Sequence, residues 1–213
     1  MKDLSDYRKS YEKSGLIETA IPDNPFELFD LWFQEAEAIG GTEEVNAMTI
    51  ATIGKDGFPK SRIVLLKQLT PEGFIFFTNY ESEKGKAIAE NPNVCLSFFW
   101  PYAERQVIIK ETAEKTADEI SDAYFQSRPF GSQLGALASH QSEIIENREV
   151  LEIKVKNLEE EFTGKVIARP AYWGGYLVKP YEMEFWQGRP NRLHDRIRFQ
   201  YRENTWKKDR LSS

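Results

Sequence analysis

The stretch "EFWQGRPNRLHDR", residues 184–196, gathers side chains that bind anions. Five of the twelve arginines fall between Arg189 and Arg202, beside His194, one of only two histidines. On a strand, Arg192, His194 and Arg196 would point the same way. Three cationic or titratable groups in a row repel one another unless an anion or an acid lies between them. Trp186 and Gln187 next to them suit a planar ligand. The alternative is a solvated basic strand edge of the kind that blocks aggregation.

A second constellation is "YFQSRPFGSQLG". Tyr124 and Arg128 are four apart and share a helix face. Pro129 disfavours helix through Arg128, so the chain should turn there, and Ser132 stands where the next helix would be N-capped. A helix N-terminus with Arg128 and Tyr124 makes a phosphate cradle; the alternative is an ordinary turn with a solvated arginine. In "SRIVLLKQ", Arg62 and Lys67 bracket four aliphatic residues. Their spacing puts them on opposite faces of a regular strand, so they serve one pocket only where the strand is irregular. Gln106, Gln141 and Ser142 are neutral donors and acceptors, and His140 reads as a surface residue. The Gly-rich phosphate fingerprints and the nucleophile elbow are absent from the sequence.

These groups must be positioned by a chain of 213 residues with 28 basic and 34 acidic side chains, net −6. That balance argues against a general nucleic-acid binder, and no apolar run approaches the ~20 residues of a membrane span. The lone Cys95, inside "VCLSFFW", reads as a buried strand residue in a reducing compartment. A soluble cytoplasmic protein is expected. "DLSDYRKSYEKSG" has the pattern of a short polar helix, and "NPFELFDLWFQEAEAIGG" that of an amphipathic one. Strands follow in "NAMTIATIG", "KSRIVLLKQL", "GFIFFTN", "NVCLSFFW" and "RQVIIKETAEK", with a short helix in "SEKGKAIAENP". Three helical stretches come next, the first opened by a Thr116/Glu119 capping box. Strands return from Tyr172 onward. The order strands, helices, strands predicts an α+β fold with an antiparallel sheet or barrel. One domain, 1–213, is expected, with a helical N-terminal segment 1–41 and a helical insertion at about 116–162.

Taken together, "RIVLLK", "ERQV", "YFQSRPFGSQLGA", "ASHQS", "WGGY" and "EFWQG…RLHDR" resemble pyridoxamine/pyridoxine 5′-phosphate oxidases, in order and with the family's spacing. The resemblance implies an FMN-binding split β-barrel with surrounding helices, working as a homodimer with FMN at the subunit interface. It implies oxidation of pyridoxine or pyridoxamine 5′-phosphate by oxygen to pyridoxal 5′-phosphate, with release of hydrogen peroxide. Carried over by position, the flavin contacts are Arg62, Ile63, Val64, Leu65, Leu66, Lys67, Phe77, Thr78, Lys84, Gln106, Gln141, Ser142, Trp186 and Arg196. The substrate phosphate falls to Lys67, Tyr124, Arg128 and Ser132. Arg192, Leu193 and His194 lie at the pyridine ring, with Arg192 and His194 as the catalytic pair. An N-terminal contact aligns with Arg8 and Tyr11.

Three positions depart from the family's pattern. Glu83 stands where an arginine usually helps Lys84 hold the FMN phosphate, Leu137 where a tryptophan is usual, and Glu111 where a strand glycine is common. Two other functions fit the same fold class: a split-barrel flavin reductase and a pyridoxal phosphate carrier without flavin. Full retention of "YFQSRP…S" and "RLHDR" favours the oxidase.

Overall fold

Apolar alternation and turn chemistry become ten strands and five α-helices among residues 2–213, which the computed structural model describes. In chain order the first are α1 (Pro25–Ile39), β1 (Ala47–Ile53), β2 (Pro59–Leu65), β3 (Gln68–Thr70) and β4 (Gly73–Asn79). Next come α2 (Glu83–Glu90), β5 (Asn93–Trp100), β6 (Arg105–Lys115), α3 (Asp118–Ser127), α4 (Phe130–Ala138) and α5 (Glu149–Phe162). The chain closes with β7 (Trp173–Val178), β8 (Glu182–Gln187), β9 (Asp195–Arg202) and β10 (Thr205–Leu211). It divides into two compact units.

The first unit holds the chain up to Thr49, Cys95–Glu111 and Pro180–Ser213. Its antiparallel strands run in the order β10-β9-β8-β6. Register sets Val107 opposite Phe185 and Phe185 opposite Ile197, and all three are fully buried. Side chains alternate along a strand, so the neighbouring row, Gln106, Trp186 and Arg196, faces the other way. Helix α1 covers the apolar side. Asn24 caps it by accepting the Phe26 N–H at 3.0 Å, and Pro25 occupies the first helical position. Its buried stripe is Leu28, Phe29, Trp32 and Ala36. Phe29 meets Phe98 edge-on at 5.0 Å and Trp32 meets Phe185 at 5.2 Å.

Two expectations fail in this unit. The N-terminal stretch is irregular up to Ile17, not helical. Its backbone donors are claimed by distant side chains: Glu104 accepts from Glu12 and Lys13, and Asp195 accepts from Leu16. Nor do Arg192 and His194 share a strand with Arg196. Residues 190–192 form a single helical turn, with Asn191 and Arg192 at φ 56° and 62°, and β9 begins only at Asp195. Pro190 fixes φ and lacks an N–H donor, which stops the strand from starting earlier.

The second unit comprises Ile50–Val94 and Thr112–Lys179. Strand β4 pairs with β3 on one side and β7 on the other, and β7 pairs with the end of β6. Phe74, Ile75 and Phe76 are all buried, so β4 is covered on both faces. On β7, a Cβ at Gly175 would lie 2.6 Å from Thr116 Oγ1 and 2.9 Å from Phe77 Cε1. Glycine there lets α3 and Phe77 close on the strand. The buried cluster Phe125, Leu134, Ile167 and Trp173 ties α3 and α4 to β7, and Leu137 packs against it.

Both caps read from the sequence in this unit are displaced. Thr116 does not cap α3; its hydroxyl pairs with Ser121 Oγ at 2.9 Å, and Ala117 holds the cap position. Helix α4 starts at Phe130, directly after Pro129, whose φ of −53° suits a helix start. Ser132 therefore lies in the first turn instead of at the cap.

Candidate functional site

The second unit carries a cavity of about 470 Å³. Ten residues named from the sequence line it: Ile63, Val64, Leu65, Lys67, Phe77, Thr78, Lys84, Tyr124, Arg128 and Gln141. Ile63, Val64 and Leu65 line it from consecutive positions of β2, which strand alternation alone does not provide; the strand ends at Leu65, and Lys67 follows in the link to β3, tied by its N–H to Ile75 O at 2.8 Å. Arg62 does not line the cavity, although its charge acts on Lys84, which does. Its Nη1 donates to Thr52 Oγ1 at 2.8 Å and Lys60 O at 2.6 Å. Leu66 is buried, and Ser132 does not line the cavity.

Lys84 supplies charge from the first turn of α2. Ser82 caps that helix, its Oγ accepting from Gly85 N–H at 3.3 Å. The Lys84 ammonium is buried and gives its three N–H groups to neutral oxygens: Gln141 Oε1 at 2.8 Å, Thr78 Oγ1 at 3.0 Å and Ser82 Oγ at 3.3 Å. Burial, then the Arg62 charge, lower its pKa to about 8, against an opposing pull from Glu83. Glu83 itself turns outward and pairs with Lys60 at 2.5 Å, while its N–H is received by Ser142 Oγ at 3.2 Å. Ser142 adopts φ 77° to reach it.

Arg128 supplies the other charge. Its guanidinium lies 4.6 Å over the Trp173 ring, and its Nη1 is buried with no hydrogen-bond partner. Burial pushes its pKa down, and no carboxylate lies within ion-pair distance of it or of Lys84 among the described residues. Next to it, Phe77 and Tyr124 stack at 3.9 Å and 18°, with Trp173 parallel to Phe77 at 5.7 Å. An unspent buried donor, a carboxylate-free ammonium and an aromatic wall fit a planar ligand bearing a phosphate. The cavity also takes in Asn79, Gly135, Ala136, Ser139 and Trp173, which the sequence reading did not name. Trp173 had a signal: an aromatic preceding paired glycines, the residues that let a helix approach.

The first unit carries a separate cluster. Gln106, Trp186 and Arg196 are aligned across β6, β8 and β9 by register. Arg196 is held bidentately by Glu184, at 2.8 and 3.2 Å, and donates to Ser212 O at 2.9 Å. Gln106 donates to Ser97 Oγ at 3.1 Å. The His194 ring lies 4.7 Å from Trp186, and its Nδ1 accepts the Arg189 N–H at 3.1 Å. That bond leaves the neutral ring's proton on Nε2. Burial and the neighbouring Arg192 hold the imidazole below its ordinary pKa. Arg192 and Leu193 are exposed. Tyr11 reaches the cluster, edge-on to Trp186 at 5.7 Å and near His194 at 5.9 Å. Arg8 does not; its Nε donates to Ser5 O. Gln187, read as a partner for a planar ligand, is fully buried and spends its amide on Arg105, Ala103 and Glu104.

Comparison with known proteins matches two family profiles to this chain. One is described as pyridoxamine 5′-phosphate oxidase, over residues 34–161, and one as pyridoxine 5′-phosphate oxidase C-terminal dimerisation region, over residues 173–213. Proteins named pyridoxine/pyridoxamine 5′-phosphate oxidase are 66% identical in Flavobacterium johnsoniae and 51% in Leptospira biflexa, with all of both chains covered in each comparison. Among solved structures, PhzG from Burkholderia lata in complex with tetrahydrophenazine-1-carboxylic acid superposes with a TM-score of 0.86 and 28% identity, over 93% of this chain and 98% of that one. A pyridoxamine 5′-phosphate oxidase-related, FMN binding protein from Nostoc punctiforme shares the fold, with a TM-score of 0.69 and 12% identity over 91% of this chain and all of that one. The fold is thus the α+β split barrel. No helix among the described residues is long and apolar enough to cross a membrane.

Proposed function

This chain belongs to the pyridoxamine 5′-phosphate oxidase family, and we propose that it uses FMN and oxygen to oxidise pyridoxamine or pyridoxine 5′-phosphate to pyridoxal 5′-phosphate. The observation that carries this reading is the half-buried Arg128 guanidinium, set on an aromatic face with its buried Nη1 unpaired. A phosphate oxygen completes it. Lys67 and Tyr124, which line the same cavity, join it around the substrate phosphate, with Ser132 offered from the first turn of α4. Lys84 holds the flavin phosphate with Arg62, Thr78, Gln141 and Ser142 nearby, while Ile63, Val64, Leu65, Leu66 and Phe77 contact the rest of the cofactor. When bound, FMN supplies the hydride acceptor, and oxygen takes the two electrons away as hydrogen peroxide.

The protein's own part is orientation and electrostatics. Gln106, Trp186 and Arg196 form a preset row for the flavin ring. Arg192 presents positive charge where negative charge develops. His194, kept neutral by its surroundings, offers an Nε2–H donor to the substrate ring, with Leu193 and Tyr11 beside it and Arg8 further along the same segment. A homodimer with FMN in the subunit interface, in the cytoplasm, completes the proposal. The description of the matched C-terminal region as a dimerisation region supports it.

The test is direct. Purified protein should carry a yellow chromophore, or acquire one with FMN, and should consume oxygen with pyridoxamine 5′-phosphate but not with unphosphorylated pyridoxamine. Equal rates with both amines would remove the phosphate reading of Arg128. Absence of flavin binding would remove the oxidase reading altogether.

A further inference from the structure

One carboxylate holds the chain from Lys9 to Lys13. Glu104, in the turn between β5 and β6, is 2% exposed and has a left-handed backbone at φ 57°. Its Oε2 accepts the N–H groups of Glu12 at 2.9 Å and Lys13 at 3.1 Å, and its Oε1 faces Lys9 Nζ at 3.2 Å. The residue is itself fixed: its carbonyl accepts from Gly188 N–H at 2.8 Å and from Gln187 Nε2 at 3.2 Å. Arg105 Nε locks that same Gln187 at 2.8 Å.

Burying an ionised carboxylate is costly unless it is well bonded, and a left-handed non-glycine residue adds strain. Yet Lys9, Glu12 and Lys13 are themselves exposed, so little apolar burial comes in return. What the arrangement does fix is Tyr11, which lies between the held residues. Its ring packs on Gly188, where an added Cβ would stand 2.6 Å from the Tyr11 Cγ, and meets Trp186 and His194.

We propose that Glu104 is a positioning residue that latches the N-terminal segment so that Tyr11 stays against Trp186 and His194 and closes that side of the substrate site. The catalytic part of this rests on the oxidase reading above; the latch does not. Limited trypsin digestion of the full-length holoprotein reads the latch alone, through cleavage after Lys9 and Lys13. Glu104→Ala should speed that cleavage about tenfold, as expected when two buried hydrogen bonds and an ion pair no longer oppose local opening. Glu104→Gln keeps an acceptor for both N–H groups and should restore most of the protection.

In steady-state assays, Glu104→Ala should raise KM for pyridoxamine 5′-phosphate severalfold with a smaller change in kcat. Combined with Tyr11→Ala it should add nothing to the KM of Tyr11→Ala alone. Unchanged cleavage in Glu104→Ala would overturn the latch. Additive KM effects in the double variant would overturn its action through Tyr11. Should Glu104→Ala fail to fold, Lys9→Met removes one of the three contacts, and the Lys9 cleavage site with it, and should speed cleavage after Lys13 by a smaller factor; no change at Lys13 would equally overturn the proposal. Faster cleavage in a protein without oxidase activity would keep the latch and sink the function.

Discussion

Raising the pH above about 8 should loosen the hold on FMN, and Lys84 is the reason. Burial, followed by the Arg62 charge, brings this ammonium from 10.5 to about 8. A phosphate placed on it favours the charged form and returns the pKa toward its ordinary value. Above pH 8, binding must therefore restore a proton, at a cost of up to about 1.4 kcal/mol per pH unit. From a pKa of about 8, the protonated fraction falls from roughly one half at pH 8 to roughly 3% at pH 9.5, so Kd for FMN should rise about fifteenfold. Folding responds in the opposite sense to binding. The folded pKa is depressed, so the unfolded chain holds more protons between the two values, and the apoprotein gains stability from this group as pH climbs from about 8 to 10.5. The assay is fluorescence titration of apoprotein with FMN across that range, with riboflavin as the phosphate-free control. Lys84→Arg stays charged throughout and should flatten the profile. A flat wild-type profile, or equal weakening in wild type and Lys84→Arg, would refute the assignment of the phosphate to this ammonium.

Arg128→Met should raise KM for the phosphorylated substrate about a hundredfold while leaving the apoprotein's Tm unchanged or higher, because it removes a buried donor that costs roughly 1–3 kcal/mol when unpaired; a large fall in Tm would contradict this. Arg192→Ala should lose turnover more than flavin, by roughly 2–4 kcal/mol in kcat/KM, with His194→Ala milder; wild-type kcat/KM in either would displace the catalytic pair. Glu83→Arg should tighten FMN about fivefold at low salt and less at high salt, since it trades an exposed carboxylate for a cation near the phosphate. Weaker binding in that variant would mean that the Glu83–Lys60 pair shapes the local backbone.

Much of this was legible because period and spacing are local. The spacing in "SRIVLLK" separated Arg62 from Lys67, and of the two it is Lys67 that lines the cavity while Arg62 bonds to Thr52. The four-residue spacing of Tyr124 and Arg128 survives as two cavity-lining groups on one helix end. What failed was decided by distant partners. The N-terminal helix gave way because Glu104 and Asp195, about ninety and one hundred and eighty residues away, take its donors. Thr116 left its capping place for Ser121, and Gln187 proved to be a structural tie to Arg105. The role of Trp173 depends on a helix approaching across paired glycines, which composition alone does not specify.

The un-neutralised Arg128 has a kinetic side. Several other arginines are quenched by acids: Arg196 by Glu184, Arg169 by Asp118 and Asp122, Arg210 by Glu18 and Asp195. Arg128 instead rests on a ring that leaves its charge free for whatever anion arrives. Under the proposed reaction, that anion is a part of the molecule that the chemistry leaves untouched. A grip on it is uniform, equally firm before and after oxidation, and lowers no barrier. The same contact that recruits the substrate therefore retains the aldehyde, and the tighter the cradle is made, the more turnover becomes a matter of departure.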